Sequence, residues 1–358
     1  MKNKIAHLLL TATCGLYMQH IFAQSIQSVS FDHGEWELVC SNTGTCRAAG
    51  YQSDNHANAQ PASILMTRKA GMNEPVQIEY ALALYDDNEQ ETVSGPIYLF
   101  LNQQNYGVVS SKDDPLNGRL NAKQTQALLQ LSHQHVKIEF KNKHHTWLVS
   151  DDGMTAVLLK MDDVQKRVGT IGALVKKGHH NEQKVLKAQP KLWVKRIHTD
   201  EEPYLELDEY SPQYKHVLAV LMDAKPQPID EYDSCEGIYD SEQDQHVFEQ
   251  ISLYKLSDQK VLATTLCWRG AYNEGYGVWV LDDSLKGPAT FVTDRVSGVM
   301  SGELLAAQKG RGLGDCWSHD QWIWNGQQFI HTEESWSGAC KGFVGGAWSL
   351  EQIESEIH

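Results

Sequence analysis

The sequence predicts a mostly β protein with minor α. The expected architecture is an N-terminal β-barrel or sandwich carrying two helices, followed by a C-terminal antiparallel β-meander domain. Three observations predict it. Apolar residues recur at period two over short runs bounded by turn formers, as in Ile26–Ser30 and Trp36–Cys40. At 358 residues the chain exceeds the usual extent of one hydrophobic core, so two domains are the default. Composition shifts after about residue 200, and Ala224-Lys-Pro-Gln-Pro228 has neither helix nor strand character. The resulting division is 1–23 as a signal peptide and 24–200 as the first domain, then 201–229 as a short helix with linker and 230–358 as the second domain.

The opening residues set the compartment. Lys2 and Lys4 precede the mostly apolar run Ile5–Tyr17, and Ile21-Phe22-Ala23 before Gln24 makes a cleavage site. This pattern is a secretory signal peptide, too short and wrongly flanked for a stable span. Cys14 follows Leu10-Thr11-Ala12-Thr13, and a threonine directly before the cysteine is too bulky for the usual lipobox, so no lipid anchor is expected. No other apolar run approaches about 20 residues, which argues against stable membrane insertion after cleavage. The net charge of −15 comes without a basic stripe, and this excludes nucleic acid as a partner.

Cleavage leaves Cys40, Cys46, Cys235, Cys267, Cys316 and Cys340. An even number in an exported chain argues for disulfides. Locality within domains selects Cys40–Cys46, Cys235–Cys267 and Cys316–Cys340. No CxxC is present, so neither a thioredoxin-type site nor a zinc knuckle is supported.

In chain order, Trp36–Cys40 and Cys46–Tyr51 read as a hairpin around the polar turn Ser41–Thr45. Strands follow at Ile64–Lys69, Val76–Leu84, Pro96–Leu101, Tyr106–Val109, Val136–Phe140 and Thr146–Val149, with Asp113–Gly118 as a turn. Asn121 with Gln124 three residues on signals the start of a helix. A second helix runs from Met154 to Val168, opened by Ser150-Asp151-Asp152 and ended near Gly169, because apolar residues recur there at three and four. Ser211-Pro212 starts a short third helix through Leu221.

Beyond the linker, strands are expected at Val247–Lys255, Val261–Trp268, Tyr276–Leu281, Thr290–Asp294, Leu304–Lys309, Gln321–Trp324 and Gln328–Glu333. Asn325-Gly326 predicts a type I′ hairpin with positive φ at both residues. Cys267–Trp279 and Gly314–Trp324 echo one another as cysteine, tryptophan, loop and aromatic strand, which predicts two meanders of similar design. Lys309–Trp348, holding Trp317, Trp322, Trp324, Trp336 and Trp348, reads as a self-contained, disulfide-tied folding unit.

Catalytic and metal motifs fare poorly. Ser318-His319-Asp320 has the residues of a hydrolase triad, but neighbours on a strand point to opposite faces and no nucleophile elbow is present. Ser252-Leu-Tyr-Lys255 lacks the partner motifs of serine–lysine enzymes. His144-His145 and His179-His180 are adjacent pairs that cannot share an ion from regular structure, and HExxH is absent. The acidic residues from Asp230 to Asp244 lack EF-hand spacing. No catalytic residue, metal or cofactor is therefore expected. The candidate ligand-binding residues are Lys309, Arg311 and Asp315 around Gly310-Arg-Gly-Leu-Gly314, whose amides and cations suit an anion, with Trp322 and Trp324 as a stacking platform for sugar rings.

With these residues in place, the chain resembles a bacterial exported family called domain of unknown function 1176. The carriers are Trp36–Cys40 with Thr45–Tyr51, Lys309–Cys316, Trp322–Phe329 and Cys340-Lys-Gly342. The chain departs at Trp317, where a small residue is expected, and at Lys341, where arginine is usual. The first half is more faintly similar to the invasion-associated locus B family. The resemblance implies a periplasmic location and carries over no activity and no catalytic residue. The expected function is a non-enzymatic binding or envelope-maintenance module acting on a glycan, a peptide or an envelope protein. The alternatives are a hydrolase of envelope polymers using Asp315, His319 or Glu333, and a lysozyme-inhibitor-like protein.

Overall fold

The computed structural model describes residues 27–55, 59–85, 93–111, 114–224, 235, 238 and 249–358. The expected signal peptide, the linker after Ala224 and the acidic side chains between 230 and 244 lie outside the described residues. Within them the chain is mostly β, with three α-helices and several open antiparallel sheets.

The chain begins with β1 (Val29–His33), β2 (Trp36–Cys40), β3 (Cys46–Tyr51), β4 (Ala62–Arg68), β5 (Val76–Leu82), β6 (Tyr98–Leu101), β7 (Gln104–Val108) and β8 (Asn117–Arg119). It continues through α1 (Ala122–Leu131), β9 (Ile138–Lys141), β10 (Thr146–Val149) and α2 (Met154–Val164). The first five strands form a meander extended by β8, and a second sheet has the order β10-β9-β6-β7. The two sheets share one core with α1 and α2, built from Trp36, Ile64, Tyr80, Phe140, Trp147, Leu128 and Leu158 among others. Neither sheet closes on itself among the described residues, so the barrel alternative is not realised.

Local chemistry explains the element ends. Asn121 and Gln124 form both bonds of a capping box at 3.0 and 2.9 Å, which satisfies two N–H groups that the helix start leaves orphaned. The second helix stops at Val164, short of the expected Val168. There Gln165 turns inward to donate to the carbonyls of Gly44 and Arg68, and Arg167 is drawn into a buried ion network. Part of the expected Asp113–Gly118 turn is strand, because Asn117–Arg119 pairs with Ala81–Glu79.

The C-terminal part contains β11 (Leu192–Val194), β12 (Leu205–Leu207), α3 (Tyr214–Asp223), β13 (Ile251–Lys255), β14 (Lys260–Arg269), β15 (Glu274–Asp282) and β16 (Thr290–Val296). Then come β17 (Gly298–Met300), β18 (Glu303–Lys309), β19 (Trp317–Trp324), β20 (Phe329–Trp336), β21 (Leu350–Ile353) and β22 (Ser355–Ile357). Two five-stranded meanders result, β12 to β16 and β17 to β21, and they pack through Leu262, Val278, Val280, Leu304, Trp322 and Trp324. Two meanders were expected, but the detailed echo fails. Cys267-Trp268 ends in a turn before β15, whereas Trp317–Trp324 is one continuous strand without a loop.

All three expected disulfides are present. The Asn325-Gly326 hairpin also forms, with a different turn. Only Gly326 has positive φ, and the Asn325 side chain instead accepts the amides of Gln327 and Gln328, both at 2.9 Å.

Candidate functional site

The stretch 309–348 is not self-contained. Its second half covers the outer face of the β1–β5 meander, where Val39, Ala49, Tyr51 and Leu65 pack against Trp336, Ala339, Ala347, Trp348 and Leu350. Polar bonds lock this contact. Trp348 Nε1 donates to Ser63 Oγ at 2.7 Å, Gln52 donates to the Lys341 carbonyl at 2.7 Å, and Lys341 Nζ lies 2.6 Å from Glu35 and 2.7 Å from Asp54. Lysine at the position where arginine was expected therefore serves a buried ion pair rather than a solvent-facing site.

The glycine loop is held by its own side chains. Arg311 grips Asp315 with two hydrogen bonds, one of them 2.7 Å from Nε to Oδ1, and Asp315 Oδ2 also accepts the Gly342 amide at 2.7 Å. The Arg311 hydrogen bond holds the Asp315 carboxyl below the ordinary carboxylate range, against the opposing effect of burial. The loop backbone folds on itself, Gly310 N–H donating to Cys316 and Gly314 N–H to Arg311. Arg311 and Asp315 thus neutralise one another.

Trp322 and Trp324 do share a face, but that face is the core between the two meanders. Trp324 is 0% exposed and Trp322 6%, with the Trp322 ring stacked on His331 at 4.6 Å between centroids. Both indoles are packing groups and offer no platform to a ligand.

The opposite face of the same sheet is partly open. It aligns Lys309 on β18, Trp317, His319 and Gln321 on β19, and Glu333 on β20, because pairing sets Lys309 opposite Trp317 and Gln321 opposite Glu333. Lys309 Nζ sits 5.3 Å from the Trp317 ring centroid, and His319 stacks beside that ring at 6.2 Å and 17°. Trp317 Nε1 is anchored on the Gly314 carbonyl at 2.9 Å. Lys309 is the one predicted ligand residue on this strip. Sequence reasoning assigned the platform to Trp322 and Trp324 and passed over Trp317, although period two places Trp317 with His319 and away from Asp320.

On the inner face, Ser318 and Asp320 turn away from His319, as alternation requires. Asp320 pairs with His331 of β20 rather than with its sequence neighbour, Oδ1 to Nε2 at 2.9 Å. Asp315, His319 and Glu333 do not converge either, since Asp315 is committed to Arg311 and Gly342. Elsewhere, a cavity of about 560 Å³ lies between β5, β8 and α1, lined by Val76, Ile78, Leu120 and Leu129 with Arg119 and Lys177 at its edge, and holds none of the predicted residues. Among the described residues no helix is long and apolar enough to cross a membrane.

The sequence profile of a family described as "Protein of unknown function (DUF1176)" matches residues 30–353. The chain is also 23% identical over 350 residues to a protein of Escherichia coli strain K12 described as "Uncharacterized protein YpfG", covering 88% of this chain and 90% of that one. No solved structure matches.

Proposed function

Since the chain belongs to the DUF1176 family, whose profile spans nearly its whole length, we propose that it is an exported, periplasmic binding module for a saccharide of the cell envelope. The observation that carries this reading is the partly open strip Lys309–Trp317–His319–Gln321–Glu333. An indole on a sheet surface offers an apolar face for the C–H side of a sugar ring. The amide, carboxylate, imidazole and ammonium around it suit hydroxyl groups, which both donate and accept. Three disulfides and a lysine-led apolar N-terminus support export.

The test is a screen of envelope saccharides and their oligomers by titration calorimetry, with Trp317→Ala as the diagnostic variant. The expected result is saturable binding to at least one saccharide, weakened about fivefold or more when about 1 kcal/mol or more of aromatic contact is removed. Binding that survives Trp317→Ala unchanged, or a blank screen with the intact chain, overturns the reading.

A further inference from the structure

We propose that Asp320, His331 and Glu334, on the face of the sheet opposite the saccharide strip, form a binding site for a divalent transition-metal ion of the zinc type. One ligand atom from each of the three lies within 4.8 Å of the other two. Asp320 Oδ1 and His331 Nε2 are 2.9 Å apart. Metal–ligand bonds of about 2.0–2.2 Å place neighbouring corners of a coordination shell about 3 Å apart, so this pair already has the spacing of two cis ligands.

The backbone is shaped to bring the three together. Register shifts between Gln321 and Trp322, where Glu333 pairs with Gln321 and His331 pairs with Trp322, leaving Thr332 as the extra residue of a β-bulge. Without the bulge, His331 and Glu334 at i and i+3 would face opposite sides of the sheet; with it, both join Asp320. Thr332 is buried, and its hydroxyl donates to the Gln321 carbonyl at 3.1 Å, which fixes the bulge.

Each ligand is also held from behind. The His331 ring is stacked on Trp322 with planes 11° apart, Glu334 Oε1 accepts from Gln352 Nε2 at 3.0 Å, and Arg295 Nη1 lies 3.8 Å from the other oxygen of Asp320. Outer partners of this kind orient metal ligands and hold their rotamers. Asp320 is buried, and Glu334 brings a second carboxylate to within 4.8 Å of it. A second carboxylate beside a buried one is a repulsive arrangement, and an ion bound between them offsets both.

Two carboxylates and one imidazole are a donor set for zinc, manganese or iron rather than for magnesium or calcium. Three protein ligands leave at least one position open, and Asp320 and Glu334 line a cavity of about 290 Å³ shared with Asp32 and Glu37 from the N-terminal part. A water can complete the shell from that side. No motif announces the site, because Asp320, His331 and Glu334 fit no recognised spacing and meet only through the bulge. The site departs from the sequence-based expectation of no metal.

The experiment uses the untagged full-length chain, stripped with chelator and titrated with Zn²⁺ by calorimetry, with cobalt substitution as a second reading. The expected result is one saturable strong site per chain and visible Co²⁺ absorption bands distinct from those of the hydrated ion. His331→Gln and Glu334→Gln should each weaken Zn²⁺ by at least about tenfold, while Trp317→Ala on the other face leaves it unchanged. Reversal of a Zn²⁺-induced rise in melting temperature by chelator supports the site even if a variant fails to fold. The absence of a saturable site in the intact chain, or equal affinity in folded His331→Gln and Glu334→Gln proteins, overturns it.

Discussion

Asp315 is the residue at which the glycine loop, the last disulfide and the fold-back segment meet, since it touches Arg311 and Gly342 and precedes Cys316. Its carboxyl is held below the unfolded value of 3.8 chiefly by the Arg311 hydrogen bond. A depressed carboxylate contributes stability that is present above the unfolded value and lost as pH falls through the folded one. Replacing Asp315 by Asn should therefore lower the urea midpoint at pH 7 and leave a smaller further loss below about pH 3.8 than the parent shows. Hydrogen bonds to charged groups are worth about 1.5–3 kcal/mol, which sets the expected loss at neutral pH. Parallel stability–pH curves for the two proteins would contradict the assignment. The sequence pointed to Arg311 and Asp315 through their place beside the glycines, but not to their mutual neutralisation. Arg167 was invisible altogether. It is fully buried, bonded to Glu182 at 2.5 Å and to the Gly71 carbonyl at 2.6 Å, and nothing in a lone arginine after a helix distinguishes burial from exposure.

At the scale of elements, local signals were legible and remote ones were not. The Asn121 capping box, the Cys40–Cys46 hairpin and the Asn325-Gly326 hairpin each lie within a few residues of sequence, and each formed, the last with a turn other than type I′. Strands β11 and β22 are three residues each and exist only because Leu192–Val194 pairs with Ser355–Ile357 at the far end of the chain. Runs so short carry no periodicity of their own. The bulge at Thr332 likewise has no sequence signature, and it decides which side chains meet His331. Gly50 shows how strict a demand an element can make. It sits directly opposite Trp36, and a Cβ there would lie 2.2 Å from the indole, which is itself anchored by a 2.8 Å bond from Nε1 to the Ser150 carbonyl. Gly50→Ala must displace that ring from a packed core, and overpacking with loss of the anchor should cost about 3 kcal/mol or more in urea unfolding. A loss under about 1 kcal/mol would mean that the ring moves freely and the core is looser than its burial implies.

For the whole molecule, the sequence separated an N-terminal and a C-terminal domain near residue 224, and the packing shows what that division must contend with. One buried cluster lies around Trp36 and Phe140 and others around Trp279 and Trp324, the Trp279 cluster drawing Leu207, Tyr214, Val217 and Leu221 from before that point. The β1–β5 meander is nevertheless buried on both faces, the second by residues that lie beyond position 335. This is why β4 is buried at six of its seven positions instead of alternating. Further ties cross the same boundary: Arg47 pairs with Glu351 and, at 3.1 Å, with Glu354, Lys341 pairs with Glu35, and β11 pairs with β22. The burial of Val39, Ala49, Tyr51 and Leu65 is therefore a joint property of both parts. Expressed alone, residues 27–200 should expose that apolar face, bind a hydrophobic dye and self-associate on size exclusion, because a contiguous exposed patch of this kind is an association surface. Residues 201–358 alone, which keep β12 and α3 with the core they complete, should do the same through Trp336, Trp348 and Leu350. Produced together and allowed to refold, the two fragments should elute as a one-to-one complex with suppressed dye binding. If the first fragment is instead monomeric and melts within a few degrees of the full chain, the fold-back segment contributes little, and the two parts are independent domains that merely touch.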